Sequence, residues 1–151
     1  MTLKRDVTPE NGPVFAADIV ASTARITGDT LDYSVASLAV VDRIIENFRK
    51  DGQTIDSMAE TLFCFGCYVG EVLVRNAGGR WLATPEEHLP VLGMRITVEL
   101  PNSLCNPIAK VFKRMHNGME DHLPYFYVAF TQKPTQSIEV RPESGKEKPL
   151  E

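Results

Sequence analysis

Cys64, Cys67, Tyr68, Glu71, Arg75, Arg80 and Trp81 all fall in one short stretch of this chain, and each of these side-chain types can do chemistry. Cys64-Phe-Gly-Cys67 has the spacing of a redox dithiol or of half a structural zinc site. A redox pair sits at a helix N-terminus, where the dipole lowers a thiol pKa; this pair falls inside an apolar helical run and lacks that help. A structural zinc ion needs four ligands, and the remaining candidates, Cys105, His88, His116 and His122, stand at irregular spacings. Positions 64, 67 and 71 share one side of a helix, so Cys64, Cys67 and Glu71 are the set that could face an ion. Free cysteine usually packs as a small apolar residue. That is the expectation for both thiols, and no cofactor is expected.

Glu71 and Arg75 are four residues apart, in the order a helix favours for an ion pair. The residues around Glu71 are apolar, so it is expected to be partly buried, and a buried carboxylate needs a partner. Arg75 or Arg80 can be that partner. A catalytic acid would want a cleft and a second titrating group, and nothing in the sequence pairs one with Glu71. A structural ion pair is therefore expected; the competing reading is a small-ligand or enzyme pocket built from Tyr68, Glu71, Arg75, Arg80 and Trp81. Trp81 is the only tryptophan and is expected to plug a helix–sheet interface. Gly66 and Gly70 have the spacing of a membrane-dimer notch, read here as close approach by another helix or by the sheet. Each glycine costs a helix about 1 kcal/mol, so tight packing should offset it. Lys110, Lys113, Arg114 and His116 read as the solvated face of an amphipathic helix. The chain has no P-loop, GxGxxG, GxSxG or HExxH motif.

These residues need a core to hold them. At 151 residues, 43% of them hydrophobic, the chain is long enough for one domain and too short for two. Its net charge of −4 argues against nucleic acid as a partner, which requires a dominant basic face. The opening Met-Thr-Leu-Lys-Arg-Asp has no apolar run behind it and does not read as a secretory signal. The longest apolar stretch, Leu62 to Val74, is interrupted by Gly66, Gly70 and Glu71 and is too short to cross a membrane. Three cysteines, an odd number, argue against a disulfide framework, so a cytoplasmic location is expected.

A first helix is expected from Asn11-Gly12-Pro13 to Gly28, with Val14, Ala17, Ala21 and Ala24 at helical spacing. A second is capped by Ser34 and carries Leu38, Val41, Ile44, Ile45 and Phe48 in one stripe, with Asp42, Glu46 and Arg49 on other faces. The third opens with Ser57-x-x-Glu60 as a capping box and is apolar on several sides, so it should be central; Gly78-Gly79 supplies its exit. Arg80–Thr84 and Val91–Leu100 read as an antiparallel strand pair. A fourth helix begins at Asn106-Pro107, with Ile108, Val111, Phe112 and Met115 inward and Lys110, Lys113 and Arg114 outward. Asp121 can cap a last element in which Leu123, Phe126, Tyr127 and Phe130 keep helical spacing, although Tyr-Phe-Tyr-Val is also strand-prone. The reading is an α+β fold: a loose arm over 1–10, one domain over 11–131 with four to five helices around a long central helix and a small antiparallel sheet, and a disordered tail over 132–151.

Ala36-Ser-Leu-Ala-Val-Val-Asp42, Gly66-Cys-Tyr-Val-Gly-Glu-Val-Leu-Val-Arg75 and Gly78-Gly-Arg-Trp81 together resemble a family of small bacterial proteins of unknown function. The likeness continues through Pro107, Val111-Phe-Lys-Arg114, Gly118, Asp121 and Tyr127. It covers residues 30–130, and Gly-x-Tyr-x-Gly-Glu-Val-Leu-x-Arg is its most specific run. It implies an intact domain and no activity, and Cys64 and Cys67 are outside its pattern. The expected function is a non-catalytic cytoplasmic interaction module that binds a protein partner or a second copy of itself, with no nucleic acid and no membrane. The alternatives are the Glu71 pocket and a metal or thiol site at Cys64 and Cys67.

Overall fold

A 23-residue helix, Ile55–Ala77 (α3), runs through the centre of the protein in a computed structural model that describes residues 1–132. Beyond Gln132, the expected tail lies outside the described residues. Around α3 stand α1 (Gly12–Ile26), α2 (Leu38–Lys50), β1 (Arg80–Ala83), the single-turn α4 (Leu89–Leu92), β2 (Ile96–Leu100), β3 (Ser103–Cys105), α5 (Pro107–Asn117) and α6 (Leu123–Thr131). The fold is α+β. The chief neighbours of α3 are α1 on one side and α5 on another, with the sheet against its C-terminal half. This explains why α3 is apolar on more than one face. It is also as long and apolar as a membrane span, but most of its apolar window is buried inside the fold.

The start of α3 differs from the expected Ser57 cap. Thr54 is the cap: its Oγ1 accepts from the Ser57 N–H while the Ser57 Oγ accepts from the Thr54 N–H. Serine thus fills the N3 role expected of glutamate at position 60, and the helix begins one turn early. Gly78, in the left-handed region at φ 72°, ends it as expected.

Two glycines of α3 set how closely its neighbours approach. A Cβ on Gly66 would lie 2.5 Å from the Ile108 Cα, and one on Gly70 would lie 2.3 Å from two ring carbons of Trp81. The notch expected from their spacing therefore receives a helix backbone at one end and an indole at the other.

The first helix buries a different face from the one expected. Phe15, Ala16, Ile19 and Thr23 point inward while Ala17, Ala21 and Ala24 are exposed. Burial is favourable in proportion to apolar area, so Phe15 and Ile19 decide the orientation over small alanines. Phe15 meets Phe63 of α3 edge to face, centroids 5.0 Å apart. Before α1, Leu3 and Val7 of the expected loose arm lie against the core, and Arg5 pairs with Asp18. In α2 the stripe Leu38, Val41, Ile44 and Ile45 is buried as expected, with Phe48 packed beside it.

β1 and β2 pair antiparallel, with Trp81 opposite Val98 and Arg80 opposite Glu99. A third strand, absent from the sequence reading, continues the sheet: β3 pairs antiparallel with β2 through the Pro101-Asn102 turn. Three residues of Ser-Leu-Cys carry no alternation that marks a strand. β2 begins at Ile96 and not at Val91, because Leu89–Leu92 coil into a turn of helix that Gly93 closes at φ 71°.

The last element is a helix, as its spacing indicates, and its cap is His122 in place of Asp121: the His122 Nδ1 accepts from the Tyr125 N–H. Asp121 bonds Lys110 Nζ at 2.6 Å and Asn117 Nδ2 at 2.7 Å instead. The bonds from Lys110 and Asn117 hold its carboxyl below the ordinary aspartate value. A carboxyl depressed in the folded state stabilises fully above its unfolded pKa, and that contribution is lost as pH falls through the lower folded value. Lys110→Met is therefore expected to lose stability at neutral pH and to show a shallower acid-side fall than the wild type between about pH 4 and pH 2. Urea unfolding at several pH values checks this, and parallel pH profiles would count against it.

Candidate functional site

Four of the five residues expected around Glu71 come together. The turn of α3 that carries Tyr68, Glu71 and Arg75 meets β1, whose Trp81 is turned inward by the tight Gly78-Gly79 exit. Glu71 is 3% exposed. One carboxylate oxygen accepts from Arg75 Nε at 3.1 Å and the other from Trp81 Nε1 at 2.9 Å. The Arg75 guanidinium then lies 3.5 Å from the centroid of the Tyr33 ring, which stacks on the Tyr68 ring at 5.1 Å. The Tyr68 hydroxyl accepts from the Tyr33 N–H at 2.8 Å and bonds the Ser37 Oγ at 2.6 Å. Asn76 Nδ2 donates to the Tyr33 carbonyl oxygen. Tyr33 itself has φ 65°, the one positive value outside glycine among the described residues, and this ring of bonds holds it there.

Arg80 is not part of this cluster. It pairs with Glu99 across the β1–β2 ladder at 2.6 Å, with most of its side chain in water. Successive strand residues point to opposite faces, so when Trp81 faces α3, Arg80 must face out. The carboxylate pair expected of Glu71 is thus supplied by Arg75 and by an indole N–H that helical spacing gave no reason to anticipate.

Both thiols are packed. Cys67 is fully buried, and burial pushes its pKa far above the ordinary thiol value. Cys64 is half-buried and is pushed up to about 11, by burial first and then by the Asp18 and Glu60 carboxylates. Cys105 is pushed up to about 12 by burial. These shifts disfavour the thiolate that nucleophilic or metal chemistry requires. Among the described residues no three His, Cys, Asp or Glu side chains gather into a metal-binding group.

A second polar cluster was not legible, and it reverses the expected orientation of two residues. Arg114, placed outward by its neighbours Lys110 and Lys113, is completely buried. Asp42, placed off the apolar stripe of α2, is buried against it. Arg114 Nε and Nη2 donate to the two Asp42 oxygens at 2.9 and 3.1 Å, and Nη1 donates to Glu46 Oε1 at 2.9 Å. Asp42 Oδ1 also accepts from the Leu123 N–H, which ties the start of α6 to α2. Burial by itself would lower the Arg114 pKa, but the bonds to Asp42 and Glu46 keep it raised. Glu46 is held below the ordinary glutamate value, first by Arg114 and then by Arg49. The one signal in the sequence was that position 114 follows Val111 by three residues, and so shares its buried face.

Two of the hollows among the described residues lie elsewhere, and neither of these is lined by Tyr68, Glu71, Arg75, Arg80 or Trp81. One, of about 520 Å³, is shallow and polar, between Glu46, Arg49, Gln53, Asp56 and His116. The other, of about 400 Å³, is mainly apolar and lies between α1, α2, α3 and the chain at Thr2–Lys4. Cys64 lines it.

No family model matches the chain, and no curated protein or solved structure is similar to it. The motif resemblance at 66–81 therefore brings no activity to these residues.

Proposed function

We propose that the protein is a non-catalytic interaction module that binds a protein partner. The observation that supports this is the closure of Glu71, the best acid candidate in the chain. Both of its oxygens are bonded, it is out of water, and neither hollow reaches it. A general acid or base must reach its substrate directly or through one water, and Glu71 in this arrangement reaches only Arg75 and Trp81. The cluster serves as a brace that holds β1 and the Tyr33 loop to α3.

The surface best suited to a partner is the outer face of α6. Tyr125 and Val128, one turn apart, are 61% and 42% exposed, and Val35 stands exposed in the neighbouring turn that α6 packs against. Exposed apolar side chains grouped in this way suit a protein surface, and a chain of net charge −4 favours a partner of basic character.

Native mass spectrometry on gently purified protein tests the reading. The wild type and Glu71→Gln should both retain a second polypeptide in fixed ratio, and the purified partner should rebind. Tyr125→Asp with Val128→Asp should weaken that rebinding by about tenfold or more while the fold persists. A small-molecule adduct carried by the wild type and lost from Glu71→Gln would overturn the proposal. So would a chain that carries no partner.

A further inference from the structure

We infer that the cleft between α1, α2 and α3 is a binding site for an uncharged amphiphile, a small molecule with an apolar body and one hydroxyl or carbonyl group. This goes beyond the partner proposed above and uses a different face of the molecule. Phe15, Ile19, Ile44, Phe48, Met58 and Phe65 supply apolar walls. A volume of about 400 Å³ falls within the range of small-ligand sites. By proportion to a 150 Å³ cavity that takes a benzene ring, it has room for roughly fifteen non-hydrogen atoms.

Two further observations specify the head group. Thr23 lines the cleft, is 4% exposed, and its hydroxyl has no hydrogen-bond partner among the described residues. Its neighbour Thr27 uses its own hydroxyl on the Thr23 carbonyl and on Asp29. Thr23 is buried but its Oγ1 is not sealed from water, and its open side is the cleft, where a ligand oxygen can take the place of water. Thr61 on the facing helix α3 lines the same space with a second hydroxyl that is likewise unbonded among the described residues. The charges nearby cancel. Asp18 is engaged by Arg5, and Glu60 and Lys4 carry opposite signs. An ionised head of either sign would lose hydration in an apolar space and meet one like and one opposite charge at the rim, from Lys4 and Glu60, so the desolvation cost is not offset. A neutral hydroxyl or carbonyl meets Thr23 and Thr61 without that cost.

Three probes of equal chain length test this on the intact protein: 1-decanol, decanoate and decylammonium, titrated by calorimetry and by thermal shift. Decanol should bind saturably and raise the melting temperature, with both ions about tenfold weaker or more. Thr23→Val keeps the shape and removes the hydroxyl. It should leave the free protein as stable as the wild type, or more so, and weaken decanol by about fivefold or more. Cys64→Phe, which fills the cleft from α3, should abolish decanol binding; if that variant does not fold, Thr23→Val alone decides. The inference is overturned if decanol does not saturate, if decanoate or decylammonium binds as tightly, or if Thr23→Val binds decanol unchanged.

Discussion

Arg114→Met is expected to lower the unfolding free energy by about 3 kcal/mol or more. The side chain it removes makes three charge-assisted bonds to Asp42 and Glu46 from a fully buried position. Methionine fills much of the volume, so the cost arises from Asp42, left buried with only the Leu123 N–H to oppose its charge. Arg114→Lys should fare little better, because one ammonium cannot span three oxygens that a planar guanidinium meets together.

The companion variant separates charge from packing. Arg114→Met combined with Asp42→Asn removes both charges and keeps an amide oxygen for the Leu123 N–H. It should recover about half of the loss, since a buried ion pair is often replaceable as a unit although neither partner is dispensable alone. Glu46→Gln should cost clearly less than Arg114→Met, because Glu46 is partly solvated and also engaged by Arg49. Urea unfolding of the four variants and the wild type at neutral pH gives the comparison. An Arg114→Met protein as stable as the wild type would show that the cluster contributes nothing.

Gly70→Ala should be about as damaging, and for a steric reason. Its Cβ would lie 2.3 Å from Cζ2 and Cη2 of Trp81 and 3.3 Å from Pro107 Cγ. The indole cannot swing aside freely, because its Nε1 donates to Glu71, the residue next to Gly70. Alanine improves helix propensity by about 1 kcal/mol, but overpacking in a filled core costs about 1–3 kcal/mol and here also strains a buried bond. A net loss of about 2–3 kcal/mol is expected. Trp81 is the only tryptophan in the chain, so its fluorescence reports the site directly and should shift to the red. In a Trp81→Leu background, Gly70→Ala should cost much less, and that coupling is the decisive measurement. Equal costs in the two backgrounds would place the strain elsewhere.

The parts of the fold legible from the sequence are those set by local spacing. The stripe Leu38-Val41-Ile44-Ile45 marked α2 and its buried face. The apolar sides of α3 marked it as central, Gly78 marked its exit, and Glu71 with Arg75 followed from one helical turn. The antiparallel pairing of β1 with β2 needed only a short link, but Arg80 and Trp81 were placed in one pocket although neighbours in a strand face opposite ways and only Trp81 reaches Glu71. Positions where local signals competed went astray. Alanines outnumbered Phe15 and Ile19 in α1 but not in buried area, and Ser57 resembled a cap while serving as the third residue of an earlier one.

The sequence by itself determined the longer helices, the pairing of two strands and the apolar faces of α2 and α5. It also determined that the acid at position 71 would have Arg75 within reach. Only the tertiary structure decided what closes around those faces. Arg114 and Asp42 are separated by 72 residues of chain, and their pairing exists because α5 crosses α2 where each buries its stripe. Trp81 reaches Glu71 because Gly70 leaves room for an indole, and Thr23 borders an apolar cleft because α1 turned on Phe15 and Ile19. Spacing along a helix or strand constrains neighbours within a turn or two. A contact across elements depends on packing angles and on the free volume left between side chains, which are properties of the assembled core.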